Sequence, residues 1–180
     1  MIILSPGHHA EKRGASNGTY TEYPYTLAWA VKIQALIKRS GLSACKVVYP
    51  GRGREKVKEI NEIVRNETRE CLAVEIHFNA GGGHGCETLY CPGSKTGQMV
   101  ATKYHLNLMP RLAGIRDRGI KPGYHRMNPN NPPNYFLRAT HCPAILLETL
   151  FITELALYSD QDDLICSQIA SSLIHAHSYL

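Results

Sequence analysis

A chain of 180 residues with 43% hydrophobic and 19% charged composition is the size of one globular domain, and at this length roughly 70% of the unfolded surface can be buried on folding. No apolar run approaches the ~20 residues of a membrane span, since even Leu27 to Ile37 is broken by Lys32 and Gln34, so stable membrane insertion is set aside. The formal net charge of +5 is dispersed without a polybasic block and would favour encounter with any polyanion; with no interleaved aromatic residues, nucleic-acid binding ranks last among the readings and no nucleic-acid partner is expected.

Met1 to Leu4 reads as a short buried strand ended by Ser5-Pro6-Gly7, and the polar stretch Glu11 to Gly18 as a loop. Glu22 to about Arg39 is a largely buried helix, with Thr21 as candidate N-cap, Pro24 tolerated in its first turn and Gly41 closing it. Cys45 to Tyr49 is a second strand and Pro50 to Arg54 a turn. A helix from Glu55 to about Glu70 follows, with Val57, Ile60, Ile63 and Val64 as its apolar stripe. Leu72 to Phe78 is a third strand, and Glu87 to Cys91 a fourth whose alternation suggests a less buried place in the sheet. Gly97 to about Leu112 is helical.

Gly114 to Asn134 reads as a long polar loop carrying Arg116, Arg118, Lys121, Tyr124, His125 and Arg126; loops of this length in a compact domain are usually functional or disordered, and substrate contact is the expected role. A short helical piece ends near His141, Ala144 to Leu147 is a buried strand, and the acidic cluster Asp160 to Asp163 precedes a last helix, Leu164 to about Ser178. Strands alternating with helices imply an α/β fold: one domain over residues 1–180, with a twisted, mostly parallel sheet covered on both faces in three α/β/α layers. Ligands in such folds bind at the carboxyl ends of strands. That rule selects His8 after the first strand, His77 at the end of the third and Glu148 at the end of the late one.

Taken singly, each of these residues has another explanation. Glu22 completes Thr19-x-x-Glu22, close to a capping box. His8 could cap a turn, with His9 in its place as a ligand, and His77 could be a satisfied core histidine. Glu148 follows Ile145-Leu146-Leu147, where a carboxylate is almost never fully buried without a partner. One metal site accounts for all of them together.

The motifs Pro6-Gly7-His8, Glu22 at a helix start, Glu75-Ile76-His77-Phe78-Asn79-Ala80, Gly85-Cys86-Glu87, Arg118-Gly119 and Pro143-Ala144-Ile145-Leu146-Leu147-Glu148-Thr149 resemble, in order, the zinc-dependent N-acetylmuramoyl-L-alanine amidases of the Amidase_3 type. The resemblance spans nearly the whole chain. It implies His8, Glu22 and His77 as ligands of one Zn2+ per chain and Glu148 as the catalytic general base. Two imidazoles and one carboxylate would leave a fourth position open, as hydrolytic zinc sites require. Asn79, Arg118, Tyr124 and Arg126 are the candidate substrate-binding residues, because arginine and aromatic side chains suit carboxylate and sugar contacts. Two residues depart from the family pattern. Leu150 stands where glycine is usual, adding a side chain near Glu148, and Glu154 stands where asparagine is usual, adding a negative charge.

The resemblance implies cleavage of the bond between N-acetylmuramic acid and L-alanine in peptidoglycan; the chain itself is expected to act as a monomer, without the separate wall-binding modules that many relatives carry. Cys45, Cys71, Cys86, Cys91, Cys142 and Cys166 contain no C-x-x-C and sit in apolar segments, as reduced thiols of a protein made in the cytoplasm do. The N-terminus lacks the basic n-region of a secretory signal. These features suit a phage endolysin acting at the bacterial cell wall after release. A bacterial autolysin, a zinc peptidase acting on free peptides and a non-catalytic wall-binding module are the alternatives.

Overall fold

The structure, a computed structural model, describes residues 1–41, 45–49, 51, 53–125 and 128–180. Along the chain run β1 (Ile2–Pro6), α1 (Glu22–Arg39), β2 (Cys45–Val47), α2 (Gly53–Asn66), β3 (Leu72–Asn79), β4 (Cys86–Tyr90), α3 (Lys95–Leu108), β5 (Asp117–Pro122), α4 (Tyr135–Ala139), β6 (Ala144–Phe151), α5 (Leu155–Tyr158) and α6 (Asp162–His177), with short 3-10 turns between some of them. The strands form one sheet in the order β2-β1-β3-β6-β4-β5. β2, β1, β3 and β6 are mutually parallel. β4 pairs antiparallel with β6 and parallel with β5, so the last two strands run the opposite way.

The two faces of the sheet carry separate apolar clusters, because successive strand residues point to opposite sides. Ile2, Leu4, Leu72, Val74, Ile76, Phe78, Ile145 and Leu147 pack with Trp29, Ile33 and Ile37 of α1, Val100 and Tyr104 of α3 and Ile165, Ile169 and Leu173 of α6. Met1, Ile3, Ala73, Ala144 and Leu146 pack on the other side with Val57 and Ile60 of α2 and Phe136 and Leu137 of α4. Each fully buried leucine, isoleucine or phenylalanine contributes about 1.5–3 kcal/mol. The expected α/β architecture with helices on both faces is therefore present, and no described helix is long and apolar enough to cross a membrane. The six cysteines are free thiols, four of them buried.

Four local expectations need correction. β4 is not a half-exposed strand: Cys86 to Leu89 are all buried, because β5 covers its outer edge. β5 itself lies inside the stretch Gly114 to Asn134 read as loop. Its charged residues disguised it, since Arg118 and Lys121 are both paired with Glu87 on the neighbouring strand. α2 stops at Asn66 rather than near Glu70, since the Glu67 carboxylate accepts the backbone N–H groups of Thr68 and Arg69 and bends the chain out of the helix. Pro50 and Arg52 of the expected turn lie outside the described residues. α3 begins two residues early, at Lys95, because the Ser94 hydroxyl caps it by accepting the Gly97 N–H at 3.0 Å.

Candidate metal and hydrolytic site

His8 lies in the turn after β1 with φ of 62°, the only non-glycine in the left-handed region among the described residues. Such a backbone costs energy in a residue with a Cβ and persists where surrounding contacts over-determine it. Here the turn aims the imidazole at α1, and Nε2 lies 3.0 Å from Oε2 of Glu22. From the third strand, Nδ1 of His77 lies 2.8 Å from Oε1 of the same carboxylate. The rings of His8 and His77 meet edge to face with centroids 5.0 Å apart. One candidate ligand atom from each of His8, Glu22 and His77 lies within 4.8 Å of the other two.

Glu22 is 2% exposed and does not cap its helix. Its Oε2 accepts the Ala15 N–H at 2.8 Å and its Oε1 the Phe78 N–H at 3.0 Å, which orients the carboxylate between the two histidines. Thr21 occupies the N-cap position with extended backbone but makes no side-chain capping bond. His9 exchanges backbone hydrogen bonds with Lys12 and is not in the cluster, whereas His8 is.

Two glycines make this approach possible. A Cβ on Gly7 would stand 2.6 Å from Nδ1 of His77, and one on Gly14 would stand 2.4 Å from Oε2 of Glu22. Neither was selected from the sequence, where Pro6-Gly7 reads as a turn and Gly14 as one loop glycine among others.

Behind His77 stands a buried ion pair. Nε2 of His77 lies 3.1 Å from Oε2 of Glu75, whose Oε1 is bonded by Lys56 of α2. Lys56 also donates to the Pro6 carbonyl at 3.1 Å, and both members of the pair are at most 5% exposed. Burial alone would raise the Glu75 carboxyl, but the charges of Lys56 and His77 outweigh it and hold it down to about 2. Burial alone would likewise lower His77. The Glu75 charge and the hydrogen bonds to Glu22 and Glu75 instead raise it to about 10. Burial also opposes ionisation of Glu22, yet its hydrogen bonds to His77 and His8 keep it well below the usual carboxylate range. A site with this excess of carboxylate retains positive charge.

Glu148 of β6 is the strand neighbour of His77 and faces the same side of the sheet. Its Oε2 is buried and has no hydrogen-bond partner among the described residues. Burial, reinforced by Glu22, Glu87 and Glu75 and only partly offset by His77, pushes its carboxyl up to about 8.

Across β6, Glu87 of β4 accepts Nε and Nη2 of Arg118 at 3.0 and 3.2 Å, a bond from Lys121, and the Asn79 side-chain amide at 3.1 Å. The Arg118 guanidinium also lies over the Phe151 ring, 4.9 Å from its centroid. Asn79 and Arg118 thus converge beside Glu148. Tyr124 lies beyond β5, bridged through its backbone to Pro133. Arg126 lies outside the described residues. A cleft of about 420 Å³ on the other flank is lined by His8, His77, Lys12, His125, Asn134 and Tyr135, among others.

The two departures sit elsewhere than expected. Leu150 is fully buried in the helix-covered cluster on the opposite face from Glu148, so it adds nothing to the pocket. Glu154 is 5% exposed, and its Oε2 accepts the N–H groups of Gly85 at 3.0 Å and Phe151 at 2.8 Å. Its charge is spent tying the Gly81 to Gly85 turn to the end of β6.

The model of the Amidase_3 family, described as N-acetylmuramoyl-L-alanine amidase, matches residues 2–174. The chain is 27% identical over 184 residues to the N-acetylmuramoyl-L-alanine amidase LytC of Bacillus subtilis (strain 168), covering 97% of this chain and 34% of that one. It is 24% identical to the amidase CwlM of Bacillus licheniformis, covering 98% of this chain and 65% of that protein. It therefore spans less than two thirds of either relative. Among solved structures, Cwp6 from Clostridium difficile shares the fold with a TM-score of 0.79 and 22% identity, over 96% of this chain and 28% of that one.

Proposed function

This chain belongs to the Amidase_3 family, and we propose that it hydrolyses the amide between N-acetylmuramic acid and L-alanine in peptidoglycan, with one zinc ion held by His8, Glu22 and His77. The observation that carries this reading is the convergence of two imidazoles and a carboxylate, mutually within 4.8 Å, on the sheet edge where Glu148 presents an unpartnered carboxylate oxygen. Two nitrogens and one oxygen form a donor set suited to zinc and to a catalytic rather than a closed structural site. The carboxylates of Glu22, Glu75 and Glu148 around them favour a dication for the same electrostatic reason that they favour a proton on His77.

When bound, the ion supplies Lewis acidity towards the amide carbonyl, brings the pKa of water towards about 7 and favours the ionised form of Glu148. Glu148 accepts the proton of the attacking water and returns it to the departing alanine nitrogen, which requires hydrogen-bond reach but no metal bond. Glu22 keeps both histidines in place through its own two backbone bonds. Arg118, fixed by Glu87 and Phe151 and still 26% exposed, contributes a directed cation to the same edge for an anionic or carbonyl group of the glycopeptide. Asn79 and Tyr124 are the other proposed contacts.

Digestion of purified peptidoglycan by the zinc-loaded protein, followed by mass spectrometry of the products, tests the reading. New muramyl carboxyl ends paired with free L-alanine amino ends are expected. Cleavage only within free peptides would make the chain a peptidase, and binding without any new ends would make it a wall-binding module.

A further inference from the structure

The proposed ligand set leaves one buried charged pair without a use. Lys56 and Glu75 are 4% and 5% exposed, and a buried ion pair contributes little net stability compared with well-packed apolar side chains of the same size. Its geometry is directed at one atom. Glu75 sits two residues before His77 on β3, so both project to the same face, and Oε2 of Glu75 lies 3.1 Å from Nε2 of His77. The other oxygen is occupied by Lys56, which is itself anchored to the Pro6 carbonyl two residues before His8. The opposite ring nitrogen, Nδ1, is the one that faces Glu22.

We infer that Glu75, held by Lys56, is a positioning residue that keeps the His77 proton on Nε2, so that Nδ1 is the nitrogen offered to the metal. An imidazole that donates one N–H to a carboxylate has its tautomer and ring orientation fixed, and the free nitrogen becomes a stronger ligand. Lys56 holds the Glu75 carboxylate against rotation, and its bond to Pro6 ties the same assembly to the turn that carries His8. This inference rests on the reading of His8, Glu22 and His77 as zinc ligands and goes beyond it, since that reading requires neither Glu75 nor Lys56.

The test compares the whole chain with two variants. Glu75→Gln keeps the shape and a carbonyl acceptor but loses the charge. The double variant Glu75→Leu with Lys56→Met removes both charges together, so no buried ion is left unpaired. Zinc dissociation constants are measured by competition with a chromophoric chelator, and metal-free melting temperatures are recorded in parallel. Zinc affinity should fall about 10-fold in Glu75→Gln and up to about 100-fold in the double variant. Nitrogen-resolved NMR of the zinc-loaded parent should find the His77 ring proton on Nε2.

Equal zinc affinity in all three proteins, or a proton on Nδ1, overturns the proposal. So does a double variant whose melting temperature drops while its zinc affinity does not. If the double variant does not fold, Glu75→Gln and the NMR assignment decide the matter. A parent that binds zinc in the Glu75-dependent way yet leaves peptidoglycan intact would sink the amidase reading and leave this inference standing. A parent without zinc affinity sinks both.

Discussion

Glu87 and Glu148 are direct partners across the antiparallel β4–β6 ladder, yet they live in opposite electrostatic surroundings. Glu87 is bonded by Arg118, Lys121 and Asn79, which overcome its burial and hold its carboxyl below the usual range. Glu148 has one oxygen with no partner among the described residues, and burial pushes it up to about 8. Two neighbouring carboxylates driven apart in this way acquire different tasks. Glu87 is a fixed negative anchor for Arg118, and Glu148 is the group free to exchange a proton.

The first prediction follows from that division. Glu148→Gln should keep the fold and the zinc, because the amide is nearly isosteric and the three ligands are untouched. Turnover should fall about 10²–10⁴-fold, the usual contribution of a positioned proton-transfer group. Activity, zinc content and melting temperature measured on the one variant check this. Loss of metal together with stability would make Glu148 a ligand instead of a base.

The same substitution gives a pH signature in the metal-free protein. Between the ordinary carboxyl value of 4.5 and about 8, the folded chain retains a proton on Glu148 that the unfolded chain has released. Stability from this group is therefore complete at low pH and declines as pH rises through that window. Glutamine cannot ionise, so chelated Glu148→Gln should melt above the chelated parent near pH 9 and level with it near pH 4. Each kcal/mol recovered corresponds to about 2–4 °C at this chain length. A difference that is constant across pH, or largest in acid, contradicts the assignment.

Gly7→Ala and Gly14→Ala should each damage the metal site. The added methyl collides with the His77 ring in one and with the Glu22 carboxylate in the other, and Gly14 also has φ of 81°. Zinc content after dialysis should fall in both, whereas His9→Ala should keep its metal. Full zinc occupancy in the two alanine variants would mean that the ligands relax away from the clash.

Glu154 should matter for stability more than for turnover. Removing its carboxylate in Glu154→Ala leaves the buried Gly85 and Phe151 N–H groups without their acceptor, at a cost of about 1–3 kcal/mol each. Chemical denaturation should register the loss. The rate of the zinc-loaded enzyme below its melting point should stay within a few-fold of the parent, and a collapse in rate at unchanged stability would place Glu154 in the chemistry.

Much of this protein is legible in the order of its residues. Alternating apolar strands and amphipathic helices dictate an α/β sheet with two covered faces, since period-2 and period-3.6 patterns admit few other packings. The strand-end rule locates His8, His77 and Glu148 at one edge without knowledge of any contact. The direction of β4 was not legible. A strand's orientation depends on which neighbour it joins: the antiparallel pairing with β6 brings Glu87 beside Glu148, and the parallel pairing with β4 makes the charged Asp117–Pro122 stretch a strand. Glu22 was ambiguous for a related reason: a glutamate at a helix start caps or ligates according to what stands opposite it, and here that is His8 and His77. Lys56 carried no signal at all, because the helix face that meets the sheet edge is set by packing of α2 against β3, and its partner Glu75 lies 19 residues away. Local sequence determines which residues can do chemistry; long-range packing decides which of them meet.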